Sequence, residues 1–131
     1  MRTVTTRSQS FPEAKLNALL TPKQKVRWQV LCGDHGHWRV GIYMPSESSC
    51  DDVKELERHD CPELFVLLSG AVTLVLSEDG QVRELAIETG RPVLVTAPHS
   101  GYCPNGPHTG AALVVERDAF DTEYREASAW K

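Results

Sequence analysis

Glu57-Arg58-His59-Asp60-Cys61-Pro62-Glu63, running at once into Leu64-Phe65-Val66-Leu67-Leu68-Ser69-Gly70, is the stretch that decides how this chain folds. In an extended segment side chains alternate between faces, so Glu57 and His59 point the same way. Pro62 has no N–H to give a ladder and lets the chain turn, and Glu63 then opens the next strand on the same side. A carboxylate at the head of an apolar run needs a partner, because burying an unpaired charge is costly. Three polar groups are therefore predicted to converge on one cavity.

Outward from this segment, the apolar residues come with period two or in short runs bounded by turn residues. Val26, Trp28, Val30 and Cys32 alternate with Arg27, Gln29 and Leu31, and Gly33-Asp34-His35-Gly36 turns the chain into a returning strand, His37 to Met44. Pro45 to Asp52 is a polar loop. Leu64 to Ser69 and Val72 to Leu76 are apolar runs parted at Gly70, and Ser77-Glu78-Asp79-Gly80 is a hairpin loop leading into Gln81 to Ile87. Pro92 to Ala97 and Ala111 to Glu116 complete the strands, with Ser100 to Gly110, dense in Gly, Pro and Asn, as a structured loop. A short helix is predicted over Ser10 to Leu20, capped by Ser10, with Pro12 in its first turn and Pro22 beyond its end. About seven or eight closely spaced strands predict an all-β sandwich or barrel.

Composition narrows the function. A chain of 131 residues makes one domain with a core large enough to fold without staples. The net charge is −4, and Lys and Arg are scattered from Arg2 to Lys131, which disfavours a nucleic-acid-binding face. The polar stretch Met1 to Ser10 reads as neither signal peptide nor anchor. The apolar run Leu64 to Leu68 falls far short of the roughly 20 residues that span a bilayer. The expected compartment is the cytoplasm, where Cys32, Cys50, Cys61 and Cys103 stay reduced; their spacing is not that of a structural zinc site. His35 and His37 flank a surface turn and are left out of the candidate site.

His59-Asp60-Cys61-Pro62-Glu63, with Gly70 seven positions on, resembles the first motif of the cupin superfamily, in which a His is followed after three or four residues by Glu and after six more by Gly. Gly90-Arg91-Pro92 through Pro98-His99-Ser100-Gly101-Tyr102-Cys103 resembles the second motif, and Ala71 to Ile87 the hairpin between the two. The resemblance covers roughly residues 26 to 117. It implies a cupin-type double-sheet β-barrel over 26–117, an N-terminal arm with its short helix over 1–25, and a polar C-terminal tail over 118–131.

Cupins commonly hold a divalent metal with two His and a Glu from the first motif and a His from the second. Here Glu57 stands where the first of those His would be, and Cys103 falls at the second-motif position, with His99 and His108 as alternatives for the missing imidazole. The implied ligand set is Glu57, His59, Glu63 and Cys103. It favours zinc or iron if the thiolate takes part, with manganese or nickel also in range. His59 and Glu63 are the expected catalytic pair. Tyr102, His99 and His108, on a loop stiffened by Pro and Gly, are the expected substrate contacts.

The resemblance implies a homodimeric, metal-dependent enzyme such as a dioxygenase or isomerase acting on a small molecule. A non-catalytic small-ligand-binding cupin and a metal-free isomerase or epimerase are the alternatives, since fold does not fix activity.

Overall fold

The computed structural model describes residues 1–130. Eleven strands run through it: β1 (Arg2–Thr6), β2 (Trp28–Asp34), β3 (Trp38–Tyr43), β4 (Glu55–His59), β5 (Glu63–Ser69), β6 (Thr73–Glu78), β7 (Gln81–Ala86), β8 (Val93–Val95), β9 (His99–Tyr102), β10 (Ala111–Arg117) and β11 (Phe120–Glu126). They form two antiparallel sheets, ordered β1-β11-β4-β9-β6-β7 and β2-β3-β10-β5-β8. This is an all-β, double-sheet architecture, consistent with the expected barrel.

Local sequence explains the joints. In the hairpin between β6 and β7, Glu78 pairs with Gln81, leaving Asp79 and Gly80 as a two-residue loop with φ of 52° and 76°. Positive φ at both positions matches the right-handed twist of the flanking strands, and Asp-Gly adopts it cheaply. The joint that matters most for the site is Asp60-Cys61-Pro62. The chain leaves β4 in the six-stranded sheet there and enters β5 in the five-stranded sheet, so consecutive strands face each other across the interior.

Between the sheets the inward positions of both interlock. Tyr43, Phe65, Leu67, Val72, Leu74, Ala112 and Val114 form one buried cluster, with Leu74 and Ala112 fully enclosed. Val53, Leu56, Val75 and Trp130 form a second on the outer face of the six-stranded sheet.

Two expectations are corrected. Residues 10–20 contain no helix. Leu16 and Leu19 are exposed, so the segment buries no apolar stripe, and a helix this short gains too little from its own hydrogen bonds to form alone. Ser10 does not cap; its N–H and Oγ each donate to the buried Asp118 carboxylate at 2.7 Å, tying the arm to the barrel. The expected polar tail contains β11, which lies inside the six-stranded sheet between β1 and β4. The alternation of Phe120, Thr122 and Tyr124 with Asp121, Glu123 and Arg125 is a strand with one wet face.

Replacing Leu74 by Ala is expected to cost about 2–5 kcal/mol, the range for truncating a fully buried leucine. Equilibrium urea unfolding, followed by far-UV circular dichroism, checks this.

Candidate metal centre

Each polar side chain of the site is placed by its strand. Glu57 and His59 project inward from β4, two positions apart. His99 opens β9 and is paired across the ladder with Glu57. Glu63 opens β5 and reaches across from the opposite sheet, with 3% of its surface exposed. One donor atom from each of these four residues lies within 4.8 Å of the other three.

The contacts are close. His59 Nε2 lies 2.5 Å from Glu63 Oε1 and 3.3 Å from Glu57 Oε1. His99 Nε2 lies 2.6 Å from Glu63 Oε2 and 3.9 Å from Glu57 Oε1. The outer nitrogens are held from behind. His99 Nδ1 is 2.9 Å from the carbonyl of Ala97, which only accepts, so Nδ1 carries a proton and donates. His59 Nδ1 is 2.7 Å from Thr122 Oγ1, on the neighbouring β11. This is how metal-binding imidazoles are usually oriented, with the second nitrogen held by a hydrogen bond and the first aimed at the ion.

The electrostatics call for positive charge between these atoms. Neutral His99, protonated at Nδ1, would turn the lone pair of Nε2 toward a carboxylate oxygen 2.6 Å away. Glu63 Oε2 is buried and, despite that proximity, has no hydrogen bond of acceptable direction. Either a second proton on the ring or a metal ion must sit there. Burial pulls the His59 pKa down, but Glu57 and Glu63 outweigh it and raise it to about 10. His99 is likewise raised, Glu63 opposing the effect of burial. Burial pushes Glu63 up, and the charge of His99 together with the close approach of both imidazoles holds it well below the usual carboxylate range. The donor set of two imidazoles and two carboxylates fits a divalent transition metal.

Aromatic rings box the imidazoles. Phe120 meets His59 edge to face at 4.7 Å between centroids, and Phe65 meets His99 at 5.6 Å. The group opens into a cavity of about 360 Å³ between the sheets, with Trp28, Tyr43, Phe65 and Phe120 among its walls. That size suits a small molecule.

The structure brings together Glu57, His59, Glu63 and His99. It does not bring Cys103 to them. Cys103 is fully buried in the apolar cluster, with Sγ 3.6 Å from the carbonyl oxygen of Gly110. It lies four residues beyond His99, about 13 Å along an extended chain, so only one of the two can reach the centre. Tyr102 points to the other face of β9, where its hydroxyl bonds Glu84. His108 Nδ1 lies 3.0 Å from the carbonyl of Met44. Neither lines the cavity.

Several lining residues escaped sequence reading: Thr122 behind His59, Phe120 against it, and the pair Arg39 and Glu116. The alternation in 120–125 signals the first two. Glu116, ending an apolar run as Glu63 begins one, carries the same sign of a buried carboxylate.

No family model and no curated protein matches the chain. Among solved structures, it is similar to hydroxypropylphosphonic acid epoxidase from S. wedmorenis: TM-score 0.55 and 15% identity, over 87% of this chain and 62% of that one. The same enzyme with Co(II) and substrate gives 0.54 and 16%, over 76% and 57%. The DMSP lyase DddQ from Ruegeria pomeroyi gives 0.50 and 16%, over 70% and 47%. At such identities the likeness is one of fold, and the chain spans about half to three-fifths of the length of these proteins.

In chelator-treated protein, the His59 imidazole is expected to titrate near pH 10 rather than 6.5, as read by proton NMR. Because the folded value is raised, the stability His59 contributes to the metal-free protein is complete below about pH 6.5. It is lost as pH rises through about 10. A midpoint near 6.5 would remove the electrostatic case for a cation at this position.

Proposed function

We propose that this chain is a metal-dependent enzyme of the cupin type acting on a small molecule, with its metal held by His59, His99 and Glu63 and supported by Glu57. The observation that carries the proposal is the approach of two carboxylates and two back-anchored imidazoles to one point on the wall of a cavity between the sheets.

Two imidazoles and one carboxylate with remaining positions open are the ligand pattern of non-haem iron(II) centres, and iron is the metal we favour. Zinc, manganese and nickel remain in range for the same donors. With no thiolate at the centre, softness no longer argues for zinc. Among the similar structures, the epoxidase is described in Fe(II) and Co(II) forms. A metal here would supply Lewis acidity or oxygen activation.

The chain's own residues do the rest. Glu63 and Glu57 set the negative charge of the site, and Thr122 and the Ala97 carbonyl fix the imidazole planes. Trp28, Tyr43, Phe65 and Phe120 give the cavity an aromatic wall against which the apolar body of a substrate can pack. Tyr43 is buried with its pKa raised by desolvation, so its hydroxyl stays protonated and can donate to a bound polar group.

Elemental analysis of untagged protein, purified without chelators or a nickel column, tests the proposal. About one equivalent of divalent transition metal per chain is expected. His99→Ala and Glu63→Ala should each reduce it to background, while Cys103→Ser should keep it. Wild-type protein that holds no metal after incubation with each ion would end this reading. The same four groups would then be assigned to proton transfer in a metal-free isomerase, or to plain ligand binding.

A further inference from the structure

We propose that a second copy of this chain packs on the outer face of the five-stranded sheet, joining two barrels sheet to sheet. The residues that carry this proposal lie on the opposite side of that sheet from the cavity, so it stands apart from the metal reading.

Cross-strand register defines the face. On β10, Ala112 and Val114 point into the core and Glu116 into the cavity, which turns Leu113, Val115 and Arg117 outward. Leu113 pairs with Val66 on β5 and Ile42 on β3, and Val115 pairs with Leu64 and Val40 on the same strands. Leu64 pairs in turn with Leu94 on β8. Seven aliphatic side chains from four strands thus stand side by side with no polar residue among them. Charge returns only at one end, where Arg117 lies opposite Trp38 and Trp38 opposite Asp34. Leu94 is 64% exposed, and Leu68, further along β5, and Trp38 are also exposed.

An antiparallel sheet with one wet face alternates apolar-in with polar-out. In the other sheet β11 does so, turning Asp121, Glu123 and Arg125 away from the interior. The central strands of the five-stranded sheet are instead apolar on both faces, which is the pattern of a layer covered on both sides. Among the described residues, the chain itself covers only the β2 margin. There the Gln29 side-chain amide donates to the Lys23 carbonyl and accepts from the Lys23 N–H. Ile42, the cross-strand partner of Gln29, is 1% exposed. The segment bordering this margin, from Phe11 against Gly33 to Lys23 at Gln29, leaves Leu16 and Leu19 in solvent.

A second copy fits this face by charge and by size. Two such faces meet without leaving a charge unpaired, whereas a charged partner would lose hydration there with nothing in return. Four strands about 4.8 Å apart and six residues at about 3.3 Å each make a flat footprint of roughly 20 by 20 Å. Its protruding side chains, with Trp38 at one end and the exposed leucines along β2, bring the accessible area to the order of the roughly 800 Å² per partner of a stable dimer. An apolar centre bordered by Asp34 and Arg117 is also the layout of an interface core and its rim. Pairing here leaves the cavity mouth free, because Arg2 and Glu55 at that mouth belong to the six-stranded sheet.

Size-exclusion chromatography with light scattering tests this on wild type, Val66→Lys, Leu94→Lys and Val82→Lys, with far-UV circular dichroism as the check on folding. Wild type is expected at twice the chain mass, with or without chelator. Val66→Lys puts a charge near the centre of the face in each copy and should weaken association by about 100-fold or more, giving the chain mass. Leu94→Lys, at an exposed position that the barrel does not need, should shift the equilibrium the same way and gives the answer if Val66→Lys does not fold. Val82→Lys, at an exposed position on the other sheet, should remain a dimer. A wild type that stays at the chain mass at its highest soluble concentration overturns the proposal and leaves the face to a partner of another kind. A dimer unaffected by Val66→Lys and Leu94→Lys, or one dissociated by Val82→Lys, has its interface elsewhere and overturns it equally.

Discussion

The burial of Glu63 between the two sheets constrains everything around it. A carboxylate with 3% exposure in a β-barrel interior is tolerated only if positive charge and hydrogen-bond donors surround it. Here the imidazoles of His59 and His99 supply them from the six-stranded sheet, across the interior from Glu63 in the five-stranded one. No single strand could deliver these groups. The sheet crossing at Asp60-Cys61-Pro62 sets Glu63 opposite His59 although only three residues separate them in sequence. The site is thus a consequence of topology as much as of composition.

The two ends of the barrel interior are built on opposite principles. Around Gly70 and Gly110 the backbone closes tightly. A Cβ at Gly70, whose φ is 64°, would sit 2.3 Å from the Thr109 carbonyl oxygen, and one at Gly110 would sit 2.1 Å from that of Ala71. Gly70 is therefore a packing requirement that seals the apolar end, where Cys103 also lies. The other end holds the polar group and the cavity. A second hollow there, lined by Arg2, Arg27, Lys54 and Glu55, shares Glu57 and His99 with the first. A ligand would enter past these charged side chains, with the sealed end closed to it.

The β pattern was legible in sequence because period-two alternation is a property of single segments. The convergence of Glu57, His59 and Glu63 was legible for the same reason: two lie on one strand and the third follows a proline. The fourth member was not. His99 and Cys103 share a face of one extended segment, and local spacing gives no way to choose between positions four residues apart. That choice is made by the register of β9 against β4, which sets His99 opposite Glu57. The helix expected over 10–20 failed on a similar ground, since capping and proline signals do not reveal that Ser10 has a better partner in Asp118, more than a hundred residues away. The strand at 120–126 was obscured by its charged outer face, which gives the whole segment a polar average.

The donor atoms of Glu57, His59, Glu63 and His99 stand within 4.8 Å of one another, and this bears on how a metal would bind. Without a metal, the neighbouring carboxylates raise the imidazole pKa values of His59 and His99 against the effect of burial, so protonated rings would offset the buried charge of Glu63. A metal bound by these donors would replace those protons and release them to solvent. Protons and metal then compete for the same lone pairs, and affinity rises with pH over the range in which the imidazoles would otherwise remain charged. On the metal reading, occupancy of the centre would follow the acid–base equilibrium of its imidazoles.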